Sequence, residues 1–331
     1  MTPLLSMGET LSVNAYLYPD KMGACDLRRS MSFRVWNQRA CRLANALLGL
    51  GLVKGDRIAV LAYNCVEWME IYAATAKAGL VAVPINFRLL GDDVLYILND
   101  CAARALIVQD ELLDSVAAIR DLLSIPGSNL IHLGPTAAPA GFTAYESLLG
   151  MAADTEPPAK TKPEDTWVLM YTSGTTGKPK GAMRSHGSHA LLNFATLLDM
   201  VFSRDDTCLL VMPMCHANSL NFASAFSYTG ATCCVYDRKS FDPEHMLQAL
   251  SETHSTFTSL VPTHYVMMMG LSQTLKAKYQ LTVCVSCSSP QHQRGEIPRL
   301  PSWSSSGIHN CWSSTARLSR VGPLCSDPAS S

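Results

Sequence analysis

Charge is scarce in this chain. Asp, Glu, Lys and Arg make up 16% of its 331 residues, and the two signs nearly cancel to a formal net charge of −1. Without a basic excess there is no electrostatic footprint for nucleic acid or for an anionic membrane surface. Long apolar runs are missing as well: no stretch approaches the ~18 consecutive residues that read as a membrane helix. The opening MTPLLSMGETLSVNAYLYPD has neither the basic n-region nor the continuous apolar h-region of a signal peptide. The expected setting is therefore cytoplasmic, with no transmembrane segment. A disulfide framework is also lacking, because the twelve cysteines follow no regular spacing. Cys41, Cys65, Cys101 and Cys208 lie inside apolar segments, where a reduced thiol packs as a small hydrophobe. Metal-ligand spacing is no better. Cys284-x-x-Cys287 has no second pair at a suitable distance, and His186 with His189 has no third ligand.

What is present is an alternation of helical and strand patterns. RVWNQRACRLANALLGL (34–50) carries apolar positions at helical spacing and stops at glycines, and RIAVLA (57–62) follows as a buried strand. Asn64 is placed to cap a helix through VEWMEIYAATAKAG, and VAVPI is the next strand. Residues 92–101 and 105–109 give another helix and strand. A Pro-, Ala- and Thr-rich connection, 134–164, holds one short helix at 145–151. Beyond it, strand 167–171 enters a glycine loop, and helices at 188–200, 218–228 and 243–253 alternate with strands at 208–212, 231–236 and 256–260. This predicts an α/β fold built on largely parallel sheets.

The segment Tyr171 to Gly181, YTSGTTGKPKG, concentrates the chemistry. Its hydroxyls are Thr172, Ser173, Thr175 and Thr176, its glycines Gly174, Gly177 and Gly181, and its cations Lys178 and Lys180. Glycines let backbone N–H groups converge on oxygen atoms, hydroxyls add hydrogen bonds, and lysines supply countercharge, a combination suited to a polyphosphate. It is not a Walker loop. Gly174 and Gly177 stand too close together, and Pro179 follows Lys178 where the metal-binding hydroxyl belongs. A plain Gly/Thr turn would need neither the lysines nor so many hydroxyls.

YTSGTTGKPKG resembles the signature loop of the adenylate-forming superfamily, which includes acyl-CoA and aryl-CoA synthetases, luciferases and peptide-synthetase adenylation domains. The similarity extends over roughly residues 8 to 282 and takes in KGDRIAVLAYNCVEWMEIYAATAKAGLVAVPINFRL. The resemblance implies the N-terminal part of that fold, two stacked α/β subdomains. It also implies a two-step reaction in which a carboxylate attacks the α-phosphate of magnesium-bound ATP and the thiol of coenzyme A then displaces AMP. Thr172, Ser173, Gly174, Thr175, Thr176, Gly177, Lys178 and Lys180 match the phosphate-holding loop. MPMCHANSLNF (212–222) resembles the motif beside the acyl pocket, which makes His216 the candidate substrate-binding residue; a lone His after a strand is otherwise a structural group. FTSLVPTHY (257–265) resembles a wall of the same pocket, with Val261, Pro262 and Thr263 as scaffold. Met267, Met268 and Met269 read as helix packing. The expected acid is a fatty acid, with an aryl acid as the alternative.

From Val283 to Ser331 the composition changes to 13 serines and 5 prolines with only two acidic residues, Glu296 and Asp327. The expectation is a boundary at residue 282, followed by a disordered or frameshifted tail. No Y-G-x-T-E or T-G-D string occurs in the sequence. In the family these serve adenine, magnesium and ribose, and a small C-terminal domain carries the catalytic lysine. The catalytic residues are therefore unassigned, and the chain is expected to be inactive alone; a non-catalytic remnant that binds nucleotide is the alternative.

Overall fold

The computed structural model describes residues 5–172, 178–279, 281, 283–287 and 308–310. In chain order the elements are α1 (Met7–Leu17), β1 (Met22–Asp26), β2 (Ser30–Ser32), α2 (Phe33–Gly49), β3 (Arg57–Leu61), α3 (Glu67–Ala78) and β4 (Val81–Ile85). Next come α4 (Gly91–Asp100), β5 (Ala105–Gln109), α5 (Leu113–Ala117), β6 (Leu130–Leu133), β7 (Thr143–Ala144), α6 (Tyr145–Gly150), β8 (Thr166–Thr172) and β9 (Lys180–Ser185). The rest are α7 (His186–Met200), β10 (Thr207–Leu210), α8 (Ala217–Thr229), β11 (Thr232–Val235), α9 (Pro243–Glu252), β12 (Phe257–Leu260), α10 (Pro262–Met269), α11 (Gln273–Lys276), β13 (Val283–Cys287) and β14 (Ile308–Asn310). The predicted alternation is present as a mixed α/β fold with two mostly parallel sheets.

The chain divides into two compact units, residues 1–206 with 210–239 and residues 207–209 with 240–331. In the first, seven strands line up as β7-β6-β5-β3-β4-β8-β9. Every neighbouring pair is parallel except β8 with β9, which form an antiparallel hairpin. A second group in this unit joins β1 to β11 in parallel and to β2 in antiparallel. The central strands β3, β4 and β5 are buried almost throughout, as parallel strands covered on both faces must be. Leu61, Val83, Ile85, Leu106 and Val108 pack with Val94, Ile97 and Leu98 of α4 into one core cluster, and each such side chain contributes about 1.5–3 kcal/mol when fully buried.

Helix α3 is the pivot of this unit. Every residue from Trp68 to Ala78 is buried. Three fully buried indoles find acceptors around it: Trp36 Nε1 donates to Met69 O (3.0 Å), Trp68 to Tyr63 O (2.9 Å) and Trp167 to Tyr72 O (3.0 Å). It ends at Gly79, whose φ of +69° places it in the left-handed region that glycine enters without a Cβ penalty. Glu70 on α3 is wholly buried, and its oxygens accept twice from Arg39 (2.7 and 3.1 Å) and once from the Tyr145 hydroxyl (2.8 Å). Burial still raises the Glu70 pKa, with the hydrogen bonds and charge of Arg39 opposing it.

The second unit is a smaller parallel group in which β10 pairs with β12, β12 with β13 and β13 with β14. FTSLVPTHY forms strand β12, an extended N-cap at Val261, and helix α10 with Pro262 in its first turn. Met268 is buried and Met267 exposed, the ordinary pattern of helix packing.

One expectation is corrected. Asn64 does not cap α3, whose N-cap is Val66 with no side-chain bond; its amide is spent on other backbone, as described below. Just beyond residue 282, Val283–Cys287 pairs in parallel with β12, in register from Phe257↔Cys284 to Leu260↔Cys287. A β-branched, apolar-and-Cys stretch suffices for a strand even where the surrounding composition is serine-rich. Residues 288–307 and 311–331, with His292, Cys311 and Cys325, lie outside the described residues.

Candidate functional site

Because β8 runs parallel to β4, it delivers Tyr171 and Thr172 to the carboxyl end of the sheet, the edge at which open α/β sheets bind ligands. The chain returns along β9 with Tyr171 opposite Gly181 and Thr172 opposite Lys180. Thr172, Lys178 and Lys180 are exposed there. Ser173, Gly174, Thr175, Thr176 and Gly177 lie outside the described residues. Gly181 sits close to its neighbours: a Cβ would lie 2.8 Å from Leu169 Cδ1 and 3.3 Å from Tyr171 Cζ, so a larger residue there would have to push the leucine end aside.

The hairpin is anchored on both arms. On the β8 side, the Tyr171 hydroxyl donates to Asp100 Oδ2 at the end of α4 (2.5 Å). On the β9 side, Arg184 Nη1 donates to Asn221 Oδ1 on α8 (2.8 Å). Asn221 belongs to MPMCHANSLNF, so this bond brings the two sequence motifs together.

His216 is the N-cap residue of α8, exposed, with its side chain making no capping bond. Partial burial, and then the positive charge of Arg88 beyond β4, lower its pKa. The segment leading to it is held by Asn64. The Asn64 side-chain amide donates to Met212 O (3.2 Å) and Tyr236 O (3.3 Å), and its carbonyl accepts from Met214 N (2.8 Å). Tyr72 and Ser219 hydroxyls donate to Met214 O (2.8 Å) and Met212 O (2.6 Å). These positioning groups come from the loop after β3, from α3 and from α8, and only Ser219 lies within the motif itself. The sequence singles out His216 as a candidate and carries no signal for the groups that fix its backbone.

A separate cavity of about 350 Å³ opens where the loops after β3, β5 and β6 meet the ends of β1 and β11. Its charges pair with one another: Arg28 with Asp237 (2.8 Å), Arg29 with Glu67 (2.6 Å) and Lys239 with Glu111 (3.4 Å). Among the described residues, Thr172, Lys178, Lys180 and His216 are not part of its lining.

His186 and His189 are buried beside Trp167, one stacked on the indole (centroids 5.9 Å apart) and one edge-on (4.8 Å). Among the described residues, none of their four ring nitrogens has a hydrogen-bond partner. Among the described residues, no group of three or more His, Cys, Asp or Glu is arranged to hold a metal, and no helix is long and apolar enough to cross a membrane. Seven of the cysteines are free and buried, and Cys65 is free and half-buried. Desolvation pushes Cys233 and Cys215 up to about 12, and Cys41 and Cys101 up to about 11.

Residues 11–316 match the family described as AMP-binding enzyme. The chain is 31% identical over 269 residues to an indoleacetate–CoA ligase of Aromatoleum aromaticum, covering 80% of this chain and 51% of that protein. It is 32% identical over 252 residues to a long-chain-fatty-acid–CoA ligase of Mycobacterium tuberculosis, covering 76% of this chain and 47% of that one. Among solved structures, an anthranilate CoA ligase in complex with anthranoyl-AMP superposes with a TM-score of 0.79 at 24% identity, over 86% of this chain and 55% of its own; at that identity the likeness is one of fold. The chain thus spans about half the length of the curated relatives it matches.

Proposed function

We propose, from the premise that this chain belongs to the AMP-binding enzyme family, that it supplies the phosphate-binding half of an ATP-dependent, AMP-forming acyl-CoA synthetase. The observation that carries this reading is the β8–β9 hairpin, which exposes Thr172, Lys178 and Lys180 at the carboxyl edge of a parallel sheet and is tied through Arg184 and Asn221 to the helix that begins at His216. Thr172, Ser173, Gly174, Thr175, Thr176, Gly177, Lys178 and Lys180 bind the β- and γ-phosphates of ATP. The lysines offset negative charge as the α-phosphorus is attacked by the carboxylate and the bond to pyrophosphate breaks. His216 lies against the acyl group, and a pKa lowered by partial burial and by Arg88 keeps its ring neutral near pH 7.

Magnesium would screen the triphosphate when bound. Among the described residues no group of three or more His, Cys, Asp or Glu is placed to hold it, and of the loop residues assigned to the phosphates, Thr172, Lys178 and Lys180 are described and exposed. The sequence contains no Y-G-x-T-E and no T-G-D string. Our reading is therefore that this chain binds the triphosphate of ATP yet does not complete adenylation by itself, and that it works in the cytoplasm. Thermal melts with and without magnesium ATP test the first part, since a ligand that binds only the folded state raises its stability. Acyl-dependent exchange of labelled pyrophosphate into ATP tests the second. An unmoved melting temperature at millimolar ATP refutes phosphate binding, and exchange at the rate of an intact synthetase refutes inactivity.

The expected substrate is a fatty acid. An aryl acid is the second reading, favoured by the similarity to the indoleacetate–CoA ligase. Competition between a fatty acyl and an indole acetyl adenylate analogue for binding separates the two.

A further inference from the structure

We propose that helix α4 clamps both ends of the phosphate loop, with Asp100 positioning the strand that enters the loop and Tyr96 the strand that leaves it. The inference rests on the reading of residues 172–180 as a phosphate loop and assigns what holds that loop in place.

Four contacts converge on the last turn of α4. Asp100 Oδ2 accepts the Tyr171 hydroxyl at 2.5 Å, one residue before Thr172. The Tyr96 hydroxyl lies 3.4 Å from Pro179 O and 3.5 Å from Asp100 Oδ1, between the two arms. Lys178 Nζ sits over the Tyr96 ring, 5.3 Å from its centroid. Tyr96 and Asp100 are four residues apart on one helix, so they share a face by geometry alone. The residues they grip, Tyr171 on one side and Lys178 with Pro179 on the other, bracket the loop.

Asp100 is also out of place as a helix residue. It is the last residue of α4, where the helix dipole favours a cation and disfavours a carboxylate. No basic residue occupies that last turn to offset it. The charge-assisted bond to Tyr171 gives the carboxylate a reason to be there that α4 itself does not. Burial, and then the hydrogen bond to Asp100, raise the Tyr171 pKa, so the phenol stays protonated as the donor. With Tyr171 and Pro179 already held by α4, less binding free energy is lost in ordering these two arms when a phosphate binds.

The test uses the full chain and four variants: Tyr171→Phe, Asp100→Ala, Asp100→Asn and the Tyr171→Phe/Asp100→Ala pair. Asn keeps an acceptor oxygen, so it serves as the conservative rescue. Hydrogen exchange at the Lys180 and Gly181 amides is read first. It is expected to quicken about tenfold in Tyr171→Phe and in Asp100→Ala, no further in the pair, and far less in Asp100→Asn, since one lost charged hydrogen bond is of that size. Magnesium ATP affinity should fall in parallel by about five- to tenfold, while melting shifts by no more than about 2 °C because the bond lies at the surface. Unchanged exchange in Tyr171→Phe overturns the clamp. Faster exchange with unchanged ATP affinity overturns its role in phosphate positioning. If the unmodified chain binds no ATP, the phosphate-loop reading fails and the positioning role with it, while exchange still decides whether α4 grips the hairpin.

Discussion

The buried pair His186 and His189 predicts an acid-labile fold, and the size of the effect follows from burial. Both rings are almost fully enclosed and, among the described residues, find no hydrogen-bond partner. Desolvation is the leading cause that lowers His186 to about 4 and His189 to about 3. Asp165 and Glu9 pull His186 back up, whereas Lys54 pushes it down and Arg184 and His186 push His189 down. Since the folded pKa values lie below the unfolded value near 6.5, the unfolded chain binds more protons between pH 6.5 and the folded values, and stability falls as pH drops through that window. At pH 5 the unfolded imidazoles are almost fully protonated and the folded ones almost not at all. The unfolded pKa then sets the loss, about 1.5 units at 1.36 kcal/mol each, or about 2 kcal/mol per histidine and about 4 for the pair. That is a large part of the ~5–15 kcal/mol that holds a typical domain together. Urea denaturation at pH 7.5, 6.5, 5.5 and 5 measures it. His189→Leu, close in volume and without ring nitrogens, should remove about half of the pH dependence and cost little at pH 7.5. The raised pKa of Glu70 runs the other way, stabilising the fold as it protonates, but it is common to both proteins and cancels in their difference. If His189→Leu keeps the full acid slope, burial of this pair is not its source.

Further outcomes follow from named contacts. Glu70→Ala should destabilise by about 3 kcal/mol, because it leaves Arg39 partly buried beside an empty site, and should do so more than Glu70→Gln in the same urea titration. Asn64→Ala removes the donor to Met212 and Tyr236 and the acceptor for Met214; it should cost about 2 kcal/mol and speed exchange of the Met214 amide. Lys180→Ala should reduce the melting-temperature rise produced by magnesium ATP while leaving the ligand-free melt within about 1 °C, since Lys180 is exposed and its loss removes ligand contacts without opening the core.

The alternating elements were legible because their signals are local. Ile58 to Leu61 form a continuous apolar run within strand β3, and residues 105–109 form β5. The missed elements carry weak local patterns. MGACD and SMS become β1 and β2 through pairing with β11 and with each other, a partnership more than 200 residues apart in the first case that no window can register. KGAMRS becomes β9 because β8 is antiparallel beside it, although its own residues are mostly exposed and include glycine. Asn64 illustrates the converse. A residue type with a strong local preference for capping was taken for a cap, and tertiary hydrogen bonding to segments some 150 and 170 residues away outcompeted the local use.

The same division runs through the candidate site. Phosphate recognition needs glycines, hydroxyls and lysines within one short loop, so YTSGTTGKPKG announces it in the sequence. Holding that loop is a different task, because a hairpin tip has no core of its own to fix it. The anchors must come from elements that pack beside it, and they do: Asp100 and Tyr96 from α4, Asn221 from α8. None of these residues has a composition or spacing that marks it out before the chain is folded. A motif therefore records what a loop contacts, and the residues that decide whether it makes those contacts well are the ones whose identity makes sense only from the loop outward. Asp100, an acid at the wrong end of its helix, is the one such residue that local electrostatics flags as an anomaly.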